Sequence, residues 1–238
     1  RPAHRRNAPI AIHSGAYLQV RCERDRSGAP CVAFSATLVA REQTVATCFI
    51  YRASVPVFIQ LLEGTLSCLN RAREDAVARK YSPDVLPTLR LRPDMMPLAG
   101  QIQVATNHAT GSVARLAGMD PPDLGEPETT MAEVIGRVER ALAFLRTIRP
   151  EQLDGSAERE IVLPRRARIA HLEQAGITLE PSQYPLNLYP MTFRGADYLL
   201  SFAMPNFYFH VTMAYALLRQ GGVDIGKMDY IGALPRIA

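Results

Sequence analysis

The sequence predicts a mostly α fold, an antiparallel four-helix bundle with a short β-hairpin before the last helix. Three observations carry that expectation. Four stretches repeat apolar residues at three- and four-residue steps, polar or proline-rich connectors separate them, and two short strand-like segments precede the last. Composition agrees: 238 residues, 47% hydrophobic and 21% charged, are ordinary globular usage and exclude wholesale disorder or a collagen-like repeat.

The first helix is expected from Ser54, as N-cap, with Pro56 inside its first turn. Val57, Leu61, Leu62, Leu66 and Leu69 then share one face, and Pro83 and Pro87 interrupt any regular continuation. The second is expected over 95–117, with Asp94 as cap, Ile102, Ala105, Ala109, Val113 and Leu116 as its stripe, and Gly118 as the stop. An acidic, proline-rich connector, MDPPDLGEPE, follows.

The third helix has the clearest signature. Thr130 and Glu133 form a capping box, in which each side chain serves the other's backbone N–H, and Val134, Val138, Ala141, Leu145 and Ile148 make a seam that Pro150 closes. Segments 159–163 and 188–193 read as two short strands. The fourth helix is expected over 196–220, kinked by Pro205 and stopped by Gly221 and Gly222.

Charge argues against a nucleic-acid partner once it is partitioned. Residues 1–49 hold seven Arg and three acidic residues (+4), residues 165–190 hold three Arg and two Glu (+1), and the remainder holds 17 basic and 18 acidic residues (−1). The part expected to fold is therefore neutral and lacks the basic face that phosphate binding needs. Tyr198 to Leu218 is uncharged and long enough to span a bilayer, but Pro205, Asn206 and His210 fall near its middle, where polar groups are costly in lipid. A helix buried within a bundle is the better reading.

Cys22, Cys31, Cys48 and Cys68 show no C-x-x-C pair and no histidine at zinc-site spacing, which points to reduced thiols and a cytoplasmic protein. Cys68 falls on the apolar side of its helix, so packing rather than reactivity is expected. Neither G-x-S-x-G, nor a P-loop, nor G-x-G-x-x-G occurs. Phe207, Tyr208, Phe209 and Tyr215 form an aromatic run that reads as core packing, with a stacked flat ligand as the alternative.

Several segments taken together, YRASVPVFIQLLEGTLSCL, LRPDMMPLAGQIQVAT, EPETTMAEVIGRVERALAFL and DYLLSFAMPNFYFHVTMAYALLRQGGVDIGKMDYIG, resemble a family. It is the one numbered nineteen ninety-three among domains of unknown function, in the DinB/YfiT-like superfamily. The resemblance covers 51–163 and 191–232. It implies a DinB/YfiT-like antiparallel four-helix bundle, a homodimer, and a divalent metal (zinc, nickel, iron or manganese) held by one histidine on the second helix and an H-x-x-x-H on the last. Some relatives are thiol-dependent transferases. If this chain is an enzyme, kinship implies a metal- or thiol-dependent transferase or hydrolase-like activity.

Carried over residue by residue, the resemblance places His210 at the last metal-binding histidine, Asn206 at the first H of H-x-x-x-H, and the second-helix position at or next to Gln103. One imidazole and two amides are a weaker donor set than three imidazoles, so the metal would be weakly held. Each residue also has a structural reading: a buried, hydrogen-bonded His210, an Asn206 that serves carbonyls released by Pro205, and an interhelical Gln103. Tyr215 joins the pocket candidates. His108 lies five residues past Gln103, about 140° round the helix, and is expected to face elsewhere.

The expected organisation is a poorly structured extension over 1–50, a bundle over 51–232 interrupted by an irregular insertion at 165–190, and a tail at 233–238. The extension and the insertion read as upstream or unspliced sequence carried into the chain. The leading function is a small-molecule pocket between the second and fourth helices, with a weakly held metal. The alternative is a non-catalytic bundle with a degenerate metal site, acting through dimerisation or partner binding.

Overall fold

Proline and capping chemistry decide where most of the helices begin and end. The structure, a computed structural model, describes residues 36–125, 127–163 and 191–234. The chain divides into Arg1–Arg41 and Glu42–Ala238. Of the first unit only 36–41 are described, and they are helical. The insertion over 165–190 lies outside the described residues.

Helix α1 spans Ala36–Ala78, so it begins well before Ser54. Ser54 is not an N-cap but a buried mid-helix residue, whose hydroxyl donates to the Ile50 carbonyl at 2.6 Å. A serine that back-bonds to its own helix gives the same local signal as a cap. A 3-10 helix, Pro83–Thr88, occupies the proline-interrupted stretch. Helix α2 is Leu98–Ala117, with Pro97 at its N-cap position in place of Asp94, and Gly118 ends it at φ 70, a left-handed conformation that favours glycine. Helix α3, Met131–Arg146, carries the expected capping box: the Glu133 N–H donates to the Thr130 hydroxyl at 3.2 Å, and the Thr130 N–H to the Glu133 carboxylate at 2.9 Å.

Strands β1 (Glu160–Leu163) and β2 (Met191–Arg194) pair antiparallel, with Ile161 opposite Phe193. A three-residue helix α4 (Gly195–Asp197), a π-helical turn (Tyr198–Ala203) and helix α5 (Met204–Gln220) then run on without a break. The π-helical turn sits immediately upstream of Pro205, which has no N–H to donate to the preceding turn, and this is the form the expected disruption takes. Gly221 follows α5, and a short helix α6, Lys227–Ile231, lies against α1.

One continuous core joins α1, α2, α3 and α5. Phe58 of α1 meets Phe207 of α5 edge to face at 4.7 Å, and Leu62, Ile102, Val138 and Leu145 are fully or almost fully buried. Helix α2 is the central element: thirteen of its 20 residues are buried, including Thr106, Thr110 and Ser112, whose hydroxyls donate to carbonyls of their own helix. That satisfaction lets polar residues face a core without an orphaned donor. Helices α2 and α5 are antiparallel, since Gln101 meets His210 while His108 meets Phe202.

Candidate functional site

Helix α2 presents polar groups on two sides, and they do different things. Toward α3 and the acidic connector lies a buried network. Arg137 donates from Nη1 to Glu128 at 2.7 Å, from Nε to the Thr106 hydroxyl at 2.9 Å, and from Nη2 to Asn107 at 2.8 Å. Gln103 donates to the other Glu128 oxygen at 2.9 Å. The Arg137 and Glu128 side chains are only 6% and 2% exposed, so this ion pair is a solvent-shielded joint in which every guanidinium nitrogen has a partner.

Toward α5 lies a different set. His210 Nδ1 is 2.7 Å from Gln101 Oε1. The His108 and His210 rings are nearly parallel, 12° apart, with centroids separated by 6.1 Å. Phe202 meets His108 at 5.7 Å and Phe209 meets His210 edge-on at 5.2 Å, so four rings form a continuous run along this face. His108, His210 and Phe202 are half-buried, while Phe209 is 52% exposed. Here two half-buried imidazole rings from different helices lie beside an exposed Phe209.

Of the residues expected at the site, only Asn206 accompanies His210, one turn before it on α5. Gln103 is turned toward Glu128 and α3. Asn206 donates from its amide to the Phe202 carbonyl at 2.7 Å, within the π-helical turn upstream of Pro205, as its structural reading anticipated. Tyr215 packs on Tyr230 of α6 at 5.7 Å, on the side of α5 where Thr212 and Tyr230 share a hydrogen bond at 3.2 Å. His108, expected to face elsewhere, is instead the neighbour of His210. The error was one of helical phase: Gln101, not Gln103, faces His210, and seven residues make almost two full turns, so His108 returns to the same face.

Of the three residues that kinship assigns to a metal only His210 is an imidazole, and the Gln103 and Asn206 amide nitrogens donate to Glu128 and to the Phe202 carbonyl. No group of three His, Cys, Asp or Glu side chains suited to a metal ion occurs among the described residues.

Elsewhere, burial and then the nearby Asp229 carboxylate push the Cys68 thiol up to about 11, which makes it a packed thiol and a poor nucleophile. Burial also raises the Tyr198 and Tyr208 hydroxyls. The Gly226 N–H, with the Arg71 guanidinium adding to it, holds Asp229 below the usual carboxylate range. Hydrogen bonds from the Thr129 and Thr130 backbone and hydroxyls hold Glu133 at about 2.

With this geometry in place, the comparisons are informative. The family model described as Domain of unknown function (DUF1993) matches residues 50–182 and 173–231, and the chain belongs to that family. The fold is that of DinB proteins: the crystal structure of a DinB family member protein from Shewanella denitrificans, at 1.83 Å resolution, superposes with a TM-score of 0.67. That protein is 29% identical, and the match covers 82% of this chain and 98% of the other. No protein with a curated description matches. Among the described residues no helix is long and apolar enough to cross a membrane, which agrees with reading 198–218 as a bundle helix.

Proposed function

We propose that this DinB-like bundle binds a small organic molecule on the face between α2 and α5, with His210 and His108 as its polar centre. The observation that supports this most directly is the pairing of two half-buried imidazoles from different helices, nearly parallel and flanked by Phe202 and Phe209. Imidazole serves as hydrogen-bond donor, acceptor or general acid–base group near neutral pH, and the flanking rings offer an apolar wall. The chemistry assigned to the site is therefore that of imidazole, and no step runs through a metal.

The test is a ligand-observed NMR screen of the full chain, with its His210→Ala and His108→Ala variants, against 4-nitrophenol, benzoate and glutathione. At least one probe should bind the parent protein and weaken by about tenfold or more in His210→Ala, with folding intact. Equal behaviour of all three probes on parent and variants overturns the reading. A stoichiometric metal that appears on elemental analysis and vanishes in His210→Ala would overturn its metal-free part.

A second reading, a bundle that works by self-association or partner binding, is supported by exposed apolar side chains at Leu200, Tyr208 and Phe209. Sedimentation of the parent beside Phe209→Ser separates the two: a dimer lost on that substitution favours the second.

A further inference from the structure

We propose that Gln101 is the positioning residue of the α2–α5 site, and that it holds His210 in the tautomer with the proton on Nδ1. The far end of the Gln101 side chain fixes the orientation of its amide. Its Nε2 donates to the Met96 carbonyl at 3.3 Å, so the amide nitrogen faces the segment before α2 and the oxygen faces α5. Gln101 is 2% exposed, which keeps water from competing for either end.

Oε1 of Gln101 lies 2.7 Å from His210 Nδ1 and has no hydrogen to give. The proton in that bond therefore belongs to Nδ1. In a neutral imidazole the lone pair then resides on Nε2, which becomes the basic nitrogen of the ring. The amide does here what a carboxylate or backbone carbonyl does for a catalytic or ligating histidine: it selects which nitrogen is basic and fixes the plane of the ring.

The device extends back into the sequence LRLRPDMMP. Arg90 donates to the Met95 carbonyl, the Met95 N–H donates to Arg92 at 3.0 Å, and the Leu98 N–H donates to Leu89 at 2.9 Å. These bonds shape the backbone that carries the Met96 carbonyl. An exposed loop before α2 thus sets the protonation pattern of a histidine on α5, through one buried amide.

The assignment gains its purpose from the small-molecule reading above, but its test is separate. Full-length protein with 15N-labelled histidine rings is examined by two-bond 1H–15N correlation at a pH where His210 is neutral. His210 should show a pyrrole-type Nδ1 and a pyridine-type Nε2. Gln101→Ala should move the pattern toward the Nε2–H form that free histidine side chains prefer, and Gln101→Glu, which restores an acceptor oxygen, should return it to Nδ1–H. Arg90→Ala should produce a mixture.

A pyridine-type Nδ1 in the parent overturns the proposal, as does a Gln101→Ala spectrum identical to the parent's. Should Gln101→Ala not fold, the parent spectrum and Gln101→Glu decide alone. The expected tautomer without probe binding would retire the small-molecule reading and keep Gln101 as positioning residue. Probe binding with the opposite tautomer would do the reverse.

Discussion

The two polar faces of α2 are built from similar residue types and put to opposite uses. Toward α3, Gln103, Thr106 and Asn107 surround the Arg137–Glu128 pair, and the guanidinium is bonded to three different partners. Toward α5, Gln101 and His108 stand beside His210 with rings half-buried and one edge of the cluster open at Phe209. The first face is a joint, and the second is the one proposed to hold a ligand. Polarity alone does not mark a functional site in a helical bundle. What separates the faces is burial: the Arg137 and Glu128 side chains are shielded from solvent, while both histidines are half-buried beside an exposed Phe209.

The comparison can be broken most sharply at the joint. Glu128→Ala leaves a buried guanidinium without its counter-charge and should destabilise the fold by roughly 3–5 kcal/mol, read from the urea midpoint. A loss below about 1 kcal/mol would show that the network is solvated and the contrast false. Next comes Gly64→Ala. A methyl there would lie 2.5 Å from the Tyr230 carbonyl oxygen, so α6 must shift, at a cost of about 1–3 kcal/mol and with earlier proteolysis of the segment after Gly222.

Thr130→Ala removes one half of the capping box and should cost about 1 kcal/mol. The other half gives a pH signature. Glu133 is held at about 2 in the folded chain against 4.5 unfolded, so its contribution is complete above pH 4.5 and fades as the pH falls toward about 2. Thermal melting over that window should slope for the parent and lose part of that slope in Glu133→Gln. The site should cost less than the joint. His210→Ala leaves the buried Gln101 oxygen without this partner and should lower the urea unfolding free energy by about 1–2 kcal/mol. A value comparable to Glu128→Ala would make both faces joints and remove the reason to look for a ligand.

How much of this could be read in advance depends on how local each signal is. The capping box at Thr130 and Glu133 lies within four residues and was legible, as were the glycine stops at Gly118 and Gly221. The start of α1 was not, because Ser54 is a back-bonding serine in a continuous helix, and a cap and a back-bond share one sequence signal. The site was legible only in part. His210 is the candidate that the structure sets beside another imidazole, but kinship places its second-helix partner at or next to Gln103 rather than at Gln101. Helix α2 is buried on so many sides that its apolar period does not fix which flank meets α5. The recurrence of Gln101 and His108 at seven residues was the available clue. Glu128 and Arg137 went unnoticed because an ion pair across a proline-rich connector has no period at all.

Helix α6 has a consequence for how the chain reaches this structure. Gln60 donates to the Ile231 carbonyl across 171 residues of sequence, Arg71 pairs with Asp229 across 158, and Gly64 and Gly232 let the two backbones close to contact. During synthesis the face of α1 around Gly64 therefore has no native cover until almost the whole bundle has left the ribosome. Closing so long a loop is entropically late work, so the docking of this five-residue helix onto α1 should come late in folding.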